Sequence, residues 1–345
     1  MVAVARIAGP APICVSRTTL MLKTYLPHNG GLKAAAGAGN EAFAADTLWI
    51  DLIDPTPEER QTVNAALGME LPTREDMEEI EASSRLYSED GGLFMTALIL
   101  SNSGTEKPVA GVVTFVLARE KLVTIRYIDP QPFRTFETRC GRSMIGANKA
   151  ENVLTALLDV IVDRVADILE RVGAEIEDVS HQIFDANGDK PPITSKDFQN
   201  VLRTLGRKHD LSGKARESLL SIGRMLAFLA QAMDTQHNKD VHAHVRTLTR
   251  DVQSLQDHST YLAGKLNYLQ DATLGLINID QNNIIKIMSV AALVFLPPTL
   301  IASIYGMNFA VLPEKDWTFG YPFSLLLMAV SVVVPYLWFK RKGWL

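Results

Sequence analysis

The sequence predicts an α/β domain followed by long helices, the last of which runs into the first of two membrane-spanning helices. Three observations carry this reading. Residues 287–304 (IMSVAALVFLPPTLIASI) and 321–339 (YPFSLLLMAVSVVVPYLWF) contain no charged side chain, and at about 1.5 Å per residue each run is long enough for a hydrocarbon core of about 30 Å. Upstream of the first run no strong helix breaker occurs from Asn238 until the pair Pro297-Pro298, which predicts a single helix of roughly 100 Å. Between Thr47 and Ile128, runs rich in β-branched and apolar residues predict strands.

Composition fits this division. The chain has 345 residues, a net charge of −5 and 47% hydrophobic residues, enough for a soluble core besides the membrane hairpin. The mild acidity argues against nucleic acid as a partner. Cys14 and Cys140 are far apart and outside any CxxC, so reduced thiols in a cytosolic body are expected rather than a disulfide framework.

Taken in order, residues 1–45 are expected to be disordered or weakly ordered. The apolar start is broken by Arg6, Pro10, Pro12 and Arg17, unlike a signal peptide, and GGLKAAAGAGNEAFAA predicts a loop. TLWIDLIDP predicts a strand, followed by a helix that opens at Thr56-Pro57-Glu58-Glu59. A second helix is expected over residues 73–84, where Glu75, Asp76, Glu78, Glu79 and Glu81 crowd into two turns. Their mutual repulsion calls for screening by solvent or by cations. Strands are expected over 93–101, 109–119 and 121–128, the last two joined by a tight turn at Glu120-Lys121. Residues 46–147 thus form an α/β sheet domain. An apolar stripe from Val153 to Ile183 and a second helix over 194–233, separated by NGDKPPITS, predict a helical hairpin in residues 148–237.

Residues 238–304 form the long stalk helix and first span, with Leu248, Val252, Leu255, Leu262, Leu266, Leu269 and Leu276 as its apolar seam. Within the span, Asn282, Ile285, Met288 or Ser289, Ala292, Leu296, Thr299 and Ser303 fall three or four residues apart on one face. An uncharged face of this kind belongs against other protein or a water-filled cavity, and with several copies around an axis it lines a pore. Pro297 and Pro298 free backbone carbonyls that hydroxyls such as Thr299, or pore water, can satisfy. Residues 305–320 form an outer loop in which Tyr305-Gly306-Met307-Asn308 offers backbone and amide carbonyls. Gly306 permits a helix-ending φ there. Neutral oxygens hold the waters of a hydrated Mg²⁺ without stripping them, whereas carboxylates would bind too tightly for flow. Residues 321–340 form the second span. Lys340, Arg341 and Lys342 follow at the start of the basic tail, residues 341–345, and favour the cytoplasmic side. Two spans then leave both termini in the cytoplasm.

The run YGMNF, set between a long span and a short loop before the last span, resembles the CorA family of magnesium and cobalt transporters. The likeness extends to IIKIMSVAALVFLPPTLIASIYGMNF, WTFGYPF, PYLWFKRKGWL, WIDLIDPTPEER and EEIEASSRLY, covering residues 48–345. It implies a homopentameric funnel in the inner membrane that takes up Mg²⁺ and also Co²⁺ or Ni²⁺. A selectivity ring of Gly306, Met307 and Asn308 is implied, with Asn282 and Thr299 as polar stations, Ile285 and Met288 as a hydrophobic constriction, and Leu296 as a further pore-lining residue. Intracellular Mg²⁺ would gate the pore through carboxylates between protomers. Asp271 is the first candidate, then Glu78 and Glu81. One departure concerns the loop: Leu312-Pro313-Glu314-Lys315 stands where the family has Met-Pro-Glu-Leu. Lys315 weakens the attraction that Glu314 and Asp316 exert on cations.

No GxxxxGK[ST] occurs, the nearest stretch being Leu211-Ser212-Gly213-Lys214-Ala215. ATP coupling is therefore not expected. No Ser/His/Asp or Cys/His arrangement has supporting context either, so neither enzymatic activity nor an organic cofactor is expected. His237, His242 and His244 are expected to be solvated rather than zinc ligands. Two rival readings stay open: a zinc transporter of the same architecture, and a membrane-tethered cation sensor that does not conduct.

Overall fold

The computed structural model describes residues 22–28, 30–35, 46–105, 107–140, 148–184, 195–233, 239–307 and 317–343. The chain divides into two compact units, residues 1–182 with 204–266, and residues 183–203 with 267–345. This grouping differs from the division made on the sequence, since most of the expected helical hairpin belongs with the sheet.

The first unit is built on a seven-stranded mixed sheet in the order β2-β1-β3-β7-β6-β5-β4. Its strands are β1 (Leu22–His28), β2 (Gly31–Ala34), β3 (Trp49–Ile53), β4 (Leu86–Glu89), β5 (Gly92–Ser101), β6 (Val109–Ala118) and β7 (Lys121–Arg126). Only β3 and β7 pair in parallel, and every residue of β3 except the last is buried, as a strand covered on both faces requires. The β1–β2 hairpin corrects the expectation of a disordered or looped N-terminal stretch. Ordering there comes from outside the segment, through pairing of β1 along β3 and stacking of Tyr25 on Trp49 at 4.3 Å.

On one face of the sheet, α1 (Pro57–Leu67) and α2 (Arg74–Glu78) cover Ile50, Leu52, Phe94, Val116 and Val123 with Val63, Leu67 and Met77. α1 begins as its sequence dictates. Thr56 and Glu59 form a reciprocal capping box with Pro57 in the first turn, and Gly68 closes the helix at φ 64°. The expected helix over 73–84 is two pieces, α2 and α3 (Ala82–Arg85), because Glu79 adopts an extended backbone with ψ 141°. The turn between β6 and β7 also sits one residue earlier than expected. Arg119 and Glu120, with φ of 49° and 62°, are its central residues, and Ala118 pairs with Lys121.

On the other face, α4 (Gln131–Cys140), a helix the sequence did not announce, brings Phe133 and Phe136 against Phe115 and Trp49. Beneath it runs a buried polar string. Trp49 Nε1 donates to Thr124 Oγ1 at 3.0 Å, Thr124 Oγ1 to Asp51 Oδ1 at 2.6 Å, and Arg126 Nη2 to Asp51 Oδ2 at 2.9 Å. Cys140 is a buried free thiol.

Three long helices follow: α5 (Ala150–Phe184), α6 (Ser195–Ala232) and α7 (Lys239–Tyr305). β4 pairs only with the first part of β5, so Leu98 lies on an open edge. α6 closes that edge with hydroxyls: Ser218 Oγ donates to Leu98 O at 2.7 Å, and Leu98 N–H donates to Ser221 Oγ at 2.9 Å. The expected apolar seam of α7 is buried at Leu248, Val252, Leu262, Leu266 and Leu269. His244 is 42% exposed at the side chain and also has a partner the sequence did not suggest, its Nε2 lying 2.7 Å from Asp159 Oδ2; the Nδ1 of His242, by contrast, is buried with no partner among the described residues. His237 lies outside the described residues.

Candidate functional site

The second unit contains the C-terminal part of α7 and the last helix, α8 (Gly320–Arg341). Both are long and apolar enough to cross a membrane. The most apolar window of α7 has 0% of its residues buried, and that of α8 has 11%. A core helix of a soluble protein would hide such a surface, so water is not the solvent these helices are built for.

Exposure is not uniform around α7. Val290, Ala291, Val294, Pro297, Pro298, Ile301 and Tyr305 are half-buried and recur at helical spacing. At 100° per residue, the centre of this stripe lies opposite the centre of the uncharged face singled out from the sequence. Every member of that face, Asn282, Ile285, Met288, Ser289, Ala292, Leu296, Thr299 and Ser303, is exposed. Ile285, Met288 and Leu296 are 61%, 68% and 66% exposed, respectively. The helix thus keeps its apolar covered side and its mixed polar side apart.

Two hydroxyls on the uncharged face are oriented by their own helix. Ser289 Oγ donates to Ile285 O at 2.7 Å, and Thr299 Oγ1 donates to Phe295 O at 2.6 Å. With each hydroxyl proton committed to a backbone carbonyl, the oxygen faces outward as an acceptor. Acceptors are what the waters around a cation need, since those waters turn their protons outward. The same bond corrects one expectation. In an α-helix Pro297 and Pro298 leave the carbonyls of Leu293 and Val294 without their N–H partners, and Thr299 bonds to neither.

At the end of α7, Gly306 N–H donates to Ala302 O at 2.9 Å and Met307 N–H to Ile304 O at 3.3 Å. Gly306 ends the helix without entering the left-handed region, so the expected use of its conformational freedom is not seen. What glycine provides is closeness, because a Cβ there would lie 3.0 Å from Ala302 O. Met307 is exposed. Asn308, Glu314 and Asp316 lie outside the described residues.

Asp271 is exposed on α7, Glu78 accepts from Arg74 Nε at 3.0 Å, and Glu81 is exposed. Among the described residues, no group of three or more His, Cys, Asp or Glu is placed to hold a metal ion. α8 carries its own stripe of reduced exposure at Gly320, Ser324, Met328, Ser331, Val332, Pro335 and Phe339, and ends on Lys340 and Arg341.

A sheet-based unit followed by a 67-residue helix whose end is one of two apolar, exposed helices is the make-up of a two-span membrane protein with a large soluble body. Comparison with known proteins makes the assignment specific. The family described as CorA-like Mg²⁺ transporter protein matches residues 44–341. The magnesium transport protein CorA of Escherichia coli (strain K12) is 36% identical over 302 residues, 87% of this chain and 92% of that one. The protein of the same name from Haemophilus ducreyi is 35% identical over 300 residues, again 87% of this chain and 92% of its own. Among solved structures, the complete CorA magnesium transporter of Methanocaldococcus jannaschii shares the fold with a TM-score of 0.73 at 20% identity, covering 95% of this chain and 99% of that one. The chain belongs to the CorA-like Mg²⁺ transporter family.

Proposed function

We propose that the protein is an inner-membrane channel for Mg²⁺, which also passes Co²⁺ and Ni²⁺. Five copies surround one axis, both termini are cytoplasmic, and the uncharged face of α7 lines the conduit. One observation supports this most directly: Asn282, Ile285, Met288, Leu296 and Thr299 occupy the exposed side opposite the half-buried stripe. In a membrane such a mixed face needs a neighbour other than lipid.

The division of labour follows from the chemistry. Thr299 and Ser289 offer outward hydroxyl oxygens to hydration waters, while Gly306, Met307 and Asn308 supply a ring of neutral carbonyl oxygens that selects the hydrated ion. Ile285 and Met288 offer no hydrogen bonds, so where five copies converge they form a constriction that closes by losing water, while Leu296 lines the same path. Glu314 and Asp316, opposed by Lys315, draw cations to the outer mouth. Asp271, Glu78 and Glu81 sit in sites completed by a neighbouring copy, where intracellular Mg²⁺ holds the assembly closed. Moving two charges down about 100 mV releases roughly 4.6 kcal/mol, so uptake requires no ATP.

Flux into proteoliposomes tests the proposal. Mg²⁺ enters faster when the interior is made negative, Zn²⁺ does not replace it, and Asn308→Ala abolishes entry with the assembly intact. Zn²⁺ flux exceeding Mg²⁺ flux would move the reading to a zinc transporter, and no flux of either ion would leave a non-conducting sensor.

A further inference from the structure

Where the β5–β6 loop meets α5 and α6, the first unit holds a pocket of about 300 Å³. Its lining includes Arg171 and Glu175 from α5, Arg207 and Lys208 from α6, and Ser103 and Gly104 from the loop. Three of these side chains are cationic and one is a carboxylate. Glu175 is already shared, ion-paired with Lys208 and 3.9 Å from Arg171 Nε. Arg171 Nη2 also donates to Ser103 O at 2.9 Å, which holds its planar fork against the loop. Arg164 Nη2 donates to Ser103 Oγ at 3.2 Å and its Nη1 lies 4.0 Å from Asp167 Oδ2, while its buried Nε has no partner among the described residues.

We propose that this pocket binds a small polyphosphate anion, either inorganic or the phosphate chain of a nucleotide. Two arginines and a lysine from two helices suit that class, because guanidinium forks engage phosphate oxygens in pairs and lysine adds a point charge. The volume lies at the small end of ordinary ligand pockets, about 300–1,000 Å³, and is more than a lone oxyanion fills. Leu211 and Pro108 give the pocket an apolar wall on which an organic group attached to the phosphates can rest. The site is independent of the ion conduit, and its readout is binding, so its failure leaves the transport proposal untouched.

The test is calorimetric titration of the full-length protein in detergent, without divalent cations, using pyrophosphate, ATP and sulfate. A Cβ at Gly104 would meet nothing within 4 Å, so Gly104→Asp adds a negative charge to the pocket wall without disturbing the packing, and Gly104→Ser is its neutral control. Wild type and Gly104→Ser are expected to bind pyrophosphate or ATP saturably, with sulfate unable to compete. Gly104→Asp and Arg171→Gln are each expected to bind about tenfold more weakly or worse. Equal affinities for pyrophosphate and ATP assign the site to the phosphates alone, and tighter ATP binding adds the nucleoside. Absence of saturable binding to wild type, or affinity unchanged in both Gly104→Asp and Arg171→Gln, overturns the proposal.

Discussion

Asp51 and Arg126, 0% and 1% exposed at the side chain, show how a single residue can govern the sheet. The carboxylate accepts from Thr124 and from two nitrogens of Arg126, and the guanidinium lies 4.6 Å from the Phe133 ring. Asp51→Ala leaves a cation buried with its main partner gone, so the first unit should lose about 3–5 kcal/mol of stability. Asp51→Leu combined with Arg126→Met should recover most of that loss, as a shift in the thermal midpoint will show. On the face proposed to line the conduit, the outward oxygen of Thr299 makes its own prediction. Thr299→Val keeps the shape and removes the acceptor, so Mg²⁺ influx should fall roughly fivefold to tenfold, in line with one lost hydrogen bond. Thr299→Ser should restore it.

Among the elements, the β6–β7 turn gives a test of local conformation. Glu120 holds φ at 62°, where a side chain costs about 1–2 kcal/mol and glycine does not. Set against the extra freedom glycine gains on unfolding, Glu120→Gly should stabilise the protein by about 0.5–1 kcal/mol, measured by thermal denaturation. Elements were legible in the sequence where the signal was local. The capped start of α1 at Thr56-Pro57, the β-branched runs of β5 to β7 and the apolar stripe of α5 all stand where residue type and period put them. β1 and β2 were not legible, because the alanines and glycines after His28 mimic a loop and only pairing along β3 orders the segment. The break at Glu79 escaped for a different reason: no glycine or proline marks it. Closure of the β5 edge by Ser218 and Ser221 joins residues about 120 positions apart, beyond any local pattern. The cluster of Arg171, Arg207 and Lys208 was equally hidden, since α5 and α6 each contribute only part of it.

For the molecule as a whole, the uncharged face of α7 was readable because helical period alone sorts its residues, and exposure in the structure follows the same period. The metal candidates were not resolved in the same way. Asp271, Glu78 and Glu81 were chosen for charge alone, and sites of the kind proposed, completed by a neighbouring copy, would leave no spacing in one sequence. The account rests on one claim, that this face of α7 lines a water-filled path between identical chains. Cysteine scanning tests it most directly, in a background with Cys14→Ser and Cys140→Ala, with Mg²⁺ influx read before and after a membrane-impermeant thiol reagent. The account predicts that the reagent blocks influx through Leu296→Cys and Ser303→Cys and leaves Val294→Cys and Ile301→Cys unaffected. Block at Val294 and Ile301 with none at Leu296 and Ser303, or equal block at all four, would contradict it.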